Sequence, residues 1–330
     1  MQYTIESYID IAKKIIGGQR FEDSIYRHLA LTEDKDVFAL MAGADLIRDT
    51  FFKREIHLCA ICNGKSGMCS EDCKFCSQSK FHTSDIDVYP LMSKGELQNG
   101  AYEFMDTDVH RYSVVTTGKG LAEGEVRQVA DALGGLPSKK MSYCVSLGIL
   151  DDADMDYLNA CGIGRYHHNL ETCRSHFDAV CTSHTYDDRV NTIKKAKNAG
   201  LSVCSGGIFG VGESMAQVLE LAFELRELQV DAVPINFLTP MPGTFFEGKS
   251  NLTPLKCLKI ISIMRYVLPE TDIIICGGRI PNLKMLHPLV FQAGANGIMT
   301  GNYLTTKGNQ LQEDLDMINQ LGFEPRGRTL

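Results

Sequence analysis

No stretch of 18 or more apolar residues occurs in this chain of 330 residues, so no segment reads as a membrane-spanning helix. No Lys- or Arg-rich run occurs either, and the net charge is −8, which argues against nucleic acid or an anionic membrane as a main partner. Residues 1–20 mix acidic residues with helical periodicity and are expected to form an amphipathic helix, not a secretory signal. Also missing are a low-complexity tract, a composition break after residue 50, and any Ser-His-Asp or paired-carboxylate constellation.

What the chain does have is cysteine. Twelve cysteines without a secretory signal are expected to be reduced thiols of a soluble, cytoplasmic protein, and clustered ones there point to metal binding or catalysis rather than disulfides. Residues 1–50 read as three helical segments. After them, short apolar segments alternate with longer amphipathic ones. The strand candidates are 55–62, 110–116, 140–147, 163–170, 201–208, 232–238, 272–278 and 294–301. Eight strands alternating with helices predict a (β/α)8 barrel or a long doubly wound sheet. We take the first: a single TIM-type barrel over residues 51–330 with an N-terminal helical extension over 1–50. In such a barrel, chemistry belongs at the C-terminal ends of strands and in the loops after them.

The loop after the first strand, GMCSEDCKFCSQS, holds Cys69, Cys73 and Cys76. Three thiolates can hold three irons of a cubane and leave the fourth open for a small chelating ligand, or can form a zinc site completed by a distant His or Cys. With an aromatic residue, Phe75, before the last cysteine, the C-x3-C-x2-C loop resembles the radical S-adenosylmethionine (SAM) superfamily, whose open iron binds SAM. The ordered words NGKSGMCSEDCKFCSQS, YHHNLET, TYDDRVNTI, VCSGGIFGVGE, VPINFLTPMPGT and AGANGIMTGNYLTT resemble the biotin synthase family from about residue 55 to 320.

That resemblance implies a [4Fe–4S] cluster with SAM and sulfur insertion into dethiobiotin to close the thiolane ring of biotin, the sulfur coming from a second, auxiliary cluster. It implies SAM contacts from Asn169, Glu171 and Arg189, and from a glycine-rich turn of Gly206, Gly207, Gly210, Gly212 and Glu213. Substrate contacts would come from Asn169 and Asn236, whose amides can both donate and accept toward a ureido ring, and from Thr305 and Thr306 near a carboxylate tail. His167 stands where the family often has Asn. No acid–base catalytic residue is expected, because the cofactors carry the chemistry.

The auxiliary cluster marks a departure. The family holds it with cysteines from the second, third and fifth strands and an arginine. Here Cys144, Cys204 and Arg279 match, but the second strand offers Ser113, a poor substitute for a thiolate on iron. Cys59 on the first strand is expected to replace it, and Cys62, of opposite parity, to face the helices. The altered triangle admits either a [2Fe–2S] cluster or a four-iron cluster with an extra non-protein ligand such as sulfide. Ala232 and Gly297 replace family serines around it, and Cys161, Cys173, Cys181, Cys257 and Cys276 read as structural. The resemblance further implies a homodimer that takes electrons from flavodoxin or ferredoxin. The rival readings are another radical SAM barrel, of the hydrogenase-maturation or methylornithine-synthesis type, and a non-catalytic iron–sulfur or zinc redox sensor.

Overall fold

The computed structural model describes residues 4–137, 141–249 and 251–327; the outermost residues of the expected extension and barrel, and residue 140 of the third strand candidate, lie outside them. Three helices come first: α1 (Ile5–Ile16), α2 (Asp23–Ala30) and α3 (Val37–Phe52). A capping box between Thr4 and Ser7 starts α1, and its buried Tyr8, Ile11, Ala12 and Ile15 form one apolar face.

Ten short strands follow: β1 (Glu55–Lys65), β2 (Arg111–Thr116), β3 (Ser142–Ser146), β4 (Arg165–His167), β5 (Ser202–Cys204), β6 (Gly207–Phe209), β7 (Ala232–Phe237), β8 (Asp272–Ile275), β9 (Gly297–Met299) and β10 (Glu324–Pro325). All pairings among them are parallel, and β1 pairs with both β2 and β9, which closes the sheet. The result is an eight-position TIM-type barrel. Its fifth position is shared by β5 and β6, while β10 only extends the start of β1. Every strand candidate is present, although several are shorter than expected.

The fifth strand breaks because it is squeezed from both sides. A Cβ at Gly206 would lie 2.1 Å from the Pro234 carbonyl oxygen, and one at Gly207 would lie 2.5 Å from that of Glu171. Only glycine fits so close an approach.

The helices between strands are α4 (Lys94–Tyr102), α5 (Glu123–Gly134), α6 (Asp152–Ala160), α7 (Tyr186–Asn198), α8 (Met215–Glu227), α9 (Pro254–Val267), the short α10 (Arg279–Leu283) and α11 (Leu311–Gln320). Ser93, Thr185 and Ser214 cap three of them in capping boxes, and Thr253 with Pro254 starts α9.

Strand alternation divides the side chains cleanly. Leu58, Tyr112, Val145, Tyr166, Val203 and Val233 belong to the core between sheet and helices. Cys59, Arg111, Cys144, Arg165, Cys204 and Pro234 line the barrel interior. Cys62 is on the outer side, 3.8 Å from the Met92 sulfur and beside Gly100 of α4, as its parity requires.

Arg265 ties α9 to the strand ends. Fully buried, it donates to the carbonyls of Gly294, Leu268, Pro269 and Thr271 and to Asn296 Oδ1, all between 2.7 and 3.0 Å. Asn296 in turn accepts from the Ile273 amide and donates to Asp272. Replacing Arg265 with Met strands several buried carbonyls, so R265M is expected to lose about 3 kcal/mol of stability. A urea midpoint within error of the parent's would contradict that.

Candidate active site

A cavity of about 400 Å³ opens at the C-terminal end of the barrel and reaches its floor. Cys69, Cys73, Cys76 and Phe75 line its mouth. Their loop is curled tightly: Cys69 N–H donates to the Gln78 carbonyl at 2.9 Å, Lys80 N–H to the Cys69 carbonyl at 2.9 Å, and Cys76 N–H to the Cys73 carbonyl at 3.0 Å. Asp72 pins the loop to the segment after β4, accepting from the amides of Thr182 and Ser183 at 2.9 and 3.0 Å and from the Thr182 hydroxyl. Burial pushes the Cys76 thiol up to about 11, opposed by backbone N–H groups of Gln78 and Ser79 that point at its sulfur. Those amides suit a metal-bound thiolate.

Two neighbours of this loop carry no signal in the spacing. Cys181 Sγ lies 3.6 Å from Cys73 Sγ, and His184 donates to Glu71 at 2.5 Å while accepting from Arg189 Nε at 2.9 Å.

Asn169, Glu171 and Arg189 come together on the cavity wall. Arg189 Nη1 donates to the Asn169 carbonyl at 2.8 Å and lies 3.6 Å from Glu171 Oε1. Glu171 has a φ of 68°, unusual for a residue with a side chain and characteristic of strained functional turns. The glycine-rich turn reaches the cavity through Ile208. Gly206, Gly207, Gly210, Gly212 and Glu213 are not on the cavity wall. The first two give passage to neighbouring backbone, Gly210 packs on Leu252 at a φ of 97°, and Glu213 accepts from the Gly210 amide.

Asn236, Thr305 and Thr306 also line the wall. The Asn236 amide accepts from Gly277 N–H at 3.0 Å and donates to the Gly207 carbonyl at 3.3 Å, which orients it; Thr305 meets Ser77 at 3.1 Å. Burial lowers the His167 imidazole to about 4, so it faces the cavity neutral.

At the floor, Cys59, Cys144 and Cys204 lie among Arg111, Arg165 and Ser113. Burial pushes the Cys59 thiol up to about 12 and raises Cys144 and Cys204, against the pull of the two guanidiniums. Ser113 sits beside Cys144 in the β2–β3 register and hydrogen-bonds its sulfur. Arg111 Nε and Arg165 Nη1 are buried without a partner. Soft thiols beside unpartnered cationic donors fit an anionic thiolate-ligated cluster, and fit nothing apolar.

Arg279 lies just behind the cavity wall, where its charge reaches Cys276 and its Nε and Nη1 are buried without partners. It is fully buried and 2.7 Å from Asp314 of α11. Gly278, at a φ of 76°, turns the chain straight into α10, so Arg279 enters a helix instead of continuing inward along β8. The cations at the floor are Arg111 and Arg165, which share inward parity with Ser113 and His167; period-two reading could have found them.

Beneath the thiols, His57 Nε2 lies 2.8 Å from Cys59 Sγ, and its ring meets His110 edge-on at 3.7 Å. The space expected at Gly297 is filled by His57, whose Cβ would be 2.9 Å from a side chain there.

Burial holds His57 and His168 well below the usual imidazole range, His110 at about 3 and His167 at about 4. The unfolded chain takes up protons near pH 6.5 and the folded one does not. Stability is therefore full above that pH and falls as pH drops from it toward 3, by up to about 1.4 kcal/mol per pH unit for each imidazole. Urea midpoints of cluster-free protein from pH 7 to pH 5 check this; a flat profile contradicts it.

Comparison with known proteins gives the family and the fold. Residues 65–225 match the model of the radical SAM superfamily and residues 234–324 that of the Biotin and Thiamin Synthesis associated domain. The chain is 50% identical over 319 residues to a biotin synthase of Desulfatibacillum aliphaticivorans, covering 97% of each chain. It is 45% identical to one of Trichlorobacter lovleyi, covering 95% of each, and 42% identical to one of Geobacter sulfurreducens, covering 96% of this chain and 97% of that one. Among solved structures, methylornithine synthase superposes with a TM-score of 0.83 at 22% identity, covering 96% of this chain and 98% of that one. A maturase of the [FeFe]-hydrogenase superposes with a TM-score of 0.80 at 16% identity, covering 98% and 76%. At those identities the structural likeness shows a shared fold.

Proposed function

We propose, from the premise that this chain belongs to the biotin synthase family, that it inserts sulfur into dethiobiotin to make biotin, with the one cavity holding both cofactors and the substrate between them. The observation that carries this is the pairing of a three-cysteine loop at the mouth with thiols and unpartnered guanidiniums at the floor. When bound, a [4Fe–4S] cluster with SAM supplies a 5′-deoxyadenosyl radical and the auxiliary cluster supplies the sulfur.

Cys69, Cys73 and Cys76 would hold the first cluster, with Phe75 beside them. Arg189, oriented by His184 and the Asn169 carbonyl, offers a guanidinium to the SAM carboxylate, and Asn169 and Glu171 stand at its ribose. Asn169 and Asn236 present oriented amides to the ureido ring, and Thr305 and Thr306 close over the carboxylate tail. Cys59, Cys144 and Cys204 would hold the auxiliary cluster, as [2Fe–2S] or as a four-iron cluster with an extra ligand such as sulfide, with Arg279 nearby and Arg111 and Arg165 offsetting its charge. The three N-terminal helices are an extension of this single barrel, and the enzyme works as a cytoplasmic homodimer. Flavodoxin or ferredoxin would donate electrons at the loop's outer side, where Met68, Lys80 and Phe81 are exposed.

Anaerobic protein supplied with SAM, dethiobiotin and a reductant is expected to form biotin. C73A should lose 5′-deoxyadenosine formation by roughly a hundredfold or more. C144A should still release 5′-deoxyadenosine but make no biotin. Wild-type protein releasing 5′-deoxyadenosine without biotin would favour another radical SAM reaction, and no SAM cleavage at all would favour a sensor.

A further inference from the structure

We propose that Cys276 is a fourth thiolate ligand of the auxiliary cluster, filling the position in which the family resemblance places an arginine. The proposal rests on the auxiliary cluster of the preceding reading and adds the residue that completes it.

Cys276 follows β8 by one residue, and its N–H donates to the Ile235 carbonyl at 2.8 Å, so strand geometry continues through it. Alternation then decides its direction. Ile273 and Ile275 pack into the core under the helices, whereas Ile274 and Cys276 line the cavity. Inside, Cys276 belongs to a small cluster with Cys204, Ala232 and Ile274, against which Cys59 packs. Burial raises its thiol, with Cys59, Cys204 and the Arg279 guanidinium all near enough to act on it. Thiols from β1, β3, β5 and the end of β8 therefore line one cavity.

Arg279 cannot take this place without leaving Asp314, and both side chains are fully enclosed. Arg279 stays beside the site as a neighbouring cation, its Nε and Nη1 buried without partners. A cluster core held by four thiolates is a dianion, and the two buried guanidiniums of Arg111 and Arg165 offset it. The partnerless Nε of Arg111 and Nη1 of Arg165 are the donors such a dianion would satisfy. Ligation requires each thiol to release its proton to solvent as the Fe–S bond forms, with no change in oxidation state. With four protein thiolates the core needs no non-protein terminal ligand.

The test uses full-length protein, reconstituted anaerobically, and compares the parent with C276A, C276S and R279K by iron and sulfide content, Mössbauer spectra and reduction midpoints. C276A is expected to lose or alter the auxiliary signals while the signals of the cluster at Cys69, Cys73 and Cys76 persist, which also reports a folded barrel. C276S should shift the auxiliary midpoint and the spectrum of one iron, and R279K, which keeps the ion pair with Asp314, should leave both unchanged. Auxiliary spectra in C276A identical to the parent's, or their loss in R279K, would overturn ligation by Cys276. A parent holding only one cluster would overturn the auxiliary-cluster reading and this proposal with it.

Discussion

Everything in this molecule depends on the closure of a parallel sheet through β1. Because β1 is hydrogen-bonded to β2 on one side and to β9 on the other, the sheet has no free edge and its inner face becomes a single enclosed space. Residues far apart in the chain, such as Cys59, Cys144, Cys204 and Cys276, share that space because each has inward parity. Register sets the details: Cys59 stands opposite Arg111, Ser113 opposite Cys144, and Cys144 opposite Arg165.

A barrel interior is normally packed with branched apolar side chains. This one carries thiols, guanidiniums and imidazoles at its floor, several of them without partners. Buried polar groups of that kind cost stability, and a bound anionic cluster would recover the cost. The interior is therefore under-satisfied where the cofactor belongs and well packed elsewhere. The fully enclosed Arg265, with five hydrogen bonds, shows the contrasting structural use of a buried cation.

Two of the turns illustrate how one signal can serve two purposes. The glycines after the fifth strand resemble a ligand-binding loop in sequence, and Gly206 and Gly207 also let β7 and the Glu171 carbonyl approach. Gly278 looks like a spacer, yet its left-handed conformation starts α10 and brings Arg279 to Asp314.

The sequence by itself determined the barrel, all eight strand positions, the N-terminal helices and the three-cysteine loop. Those depend on local periodicity and short spacings, which a linear chain records directly. It also determined the inward parity of Cys59 and the outward parity of Cys62, since alternation along a strand is local too. Tertiary structure decided which cations face the thiols, because that depends on register between strands and on one turn at Gly278. It also decided that Cys276 joins the floor, that Cys181 meets Cys73, and that His57 fills the space beside Gly297. Each of these is a contact between residues distant in the chain, set by closure and depth, and no spacing along a single segment encodes it.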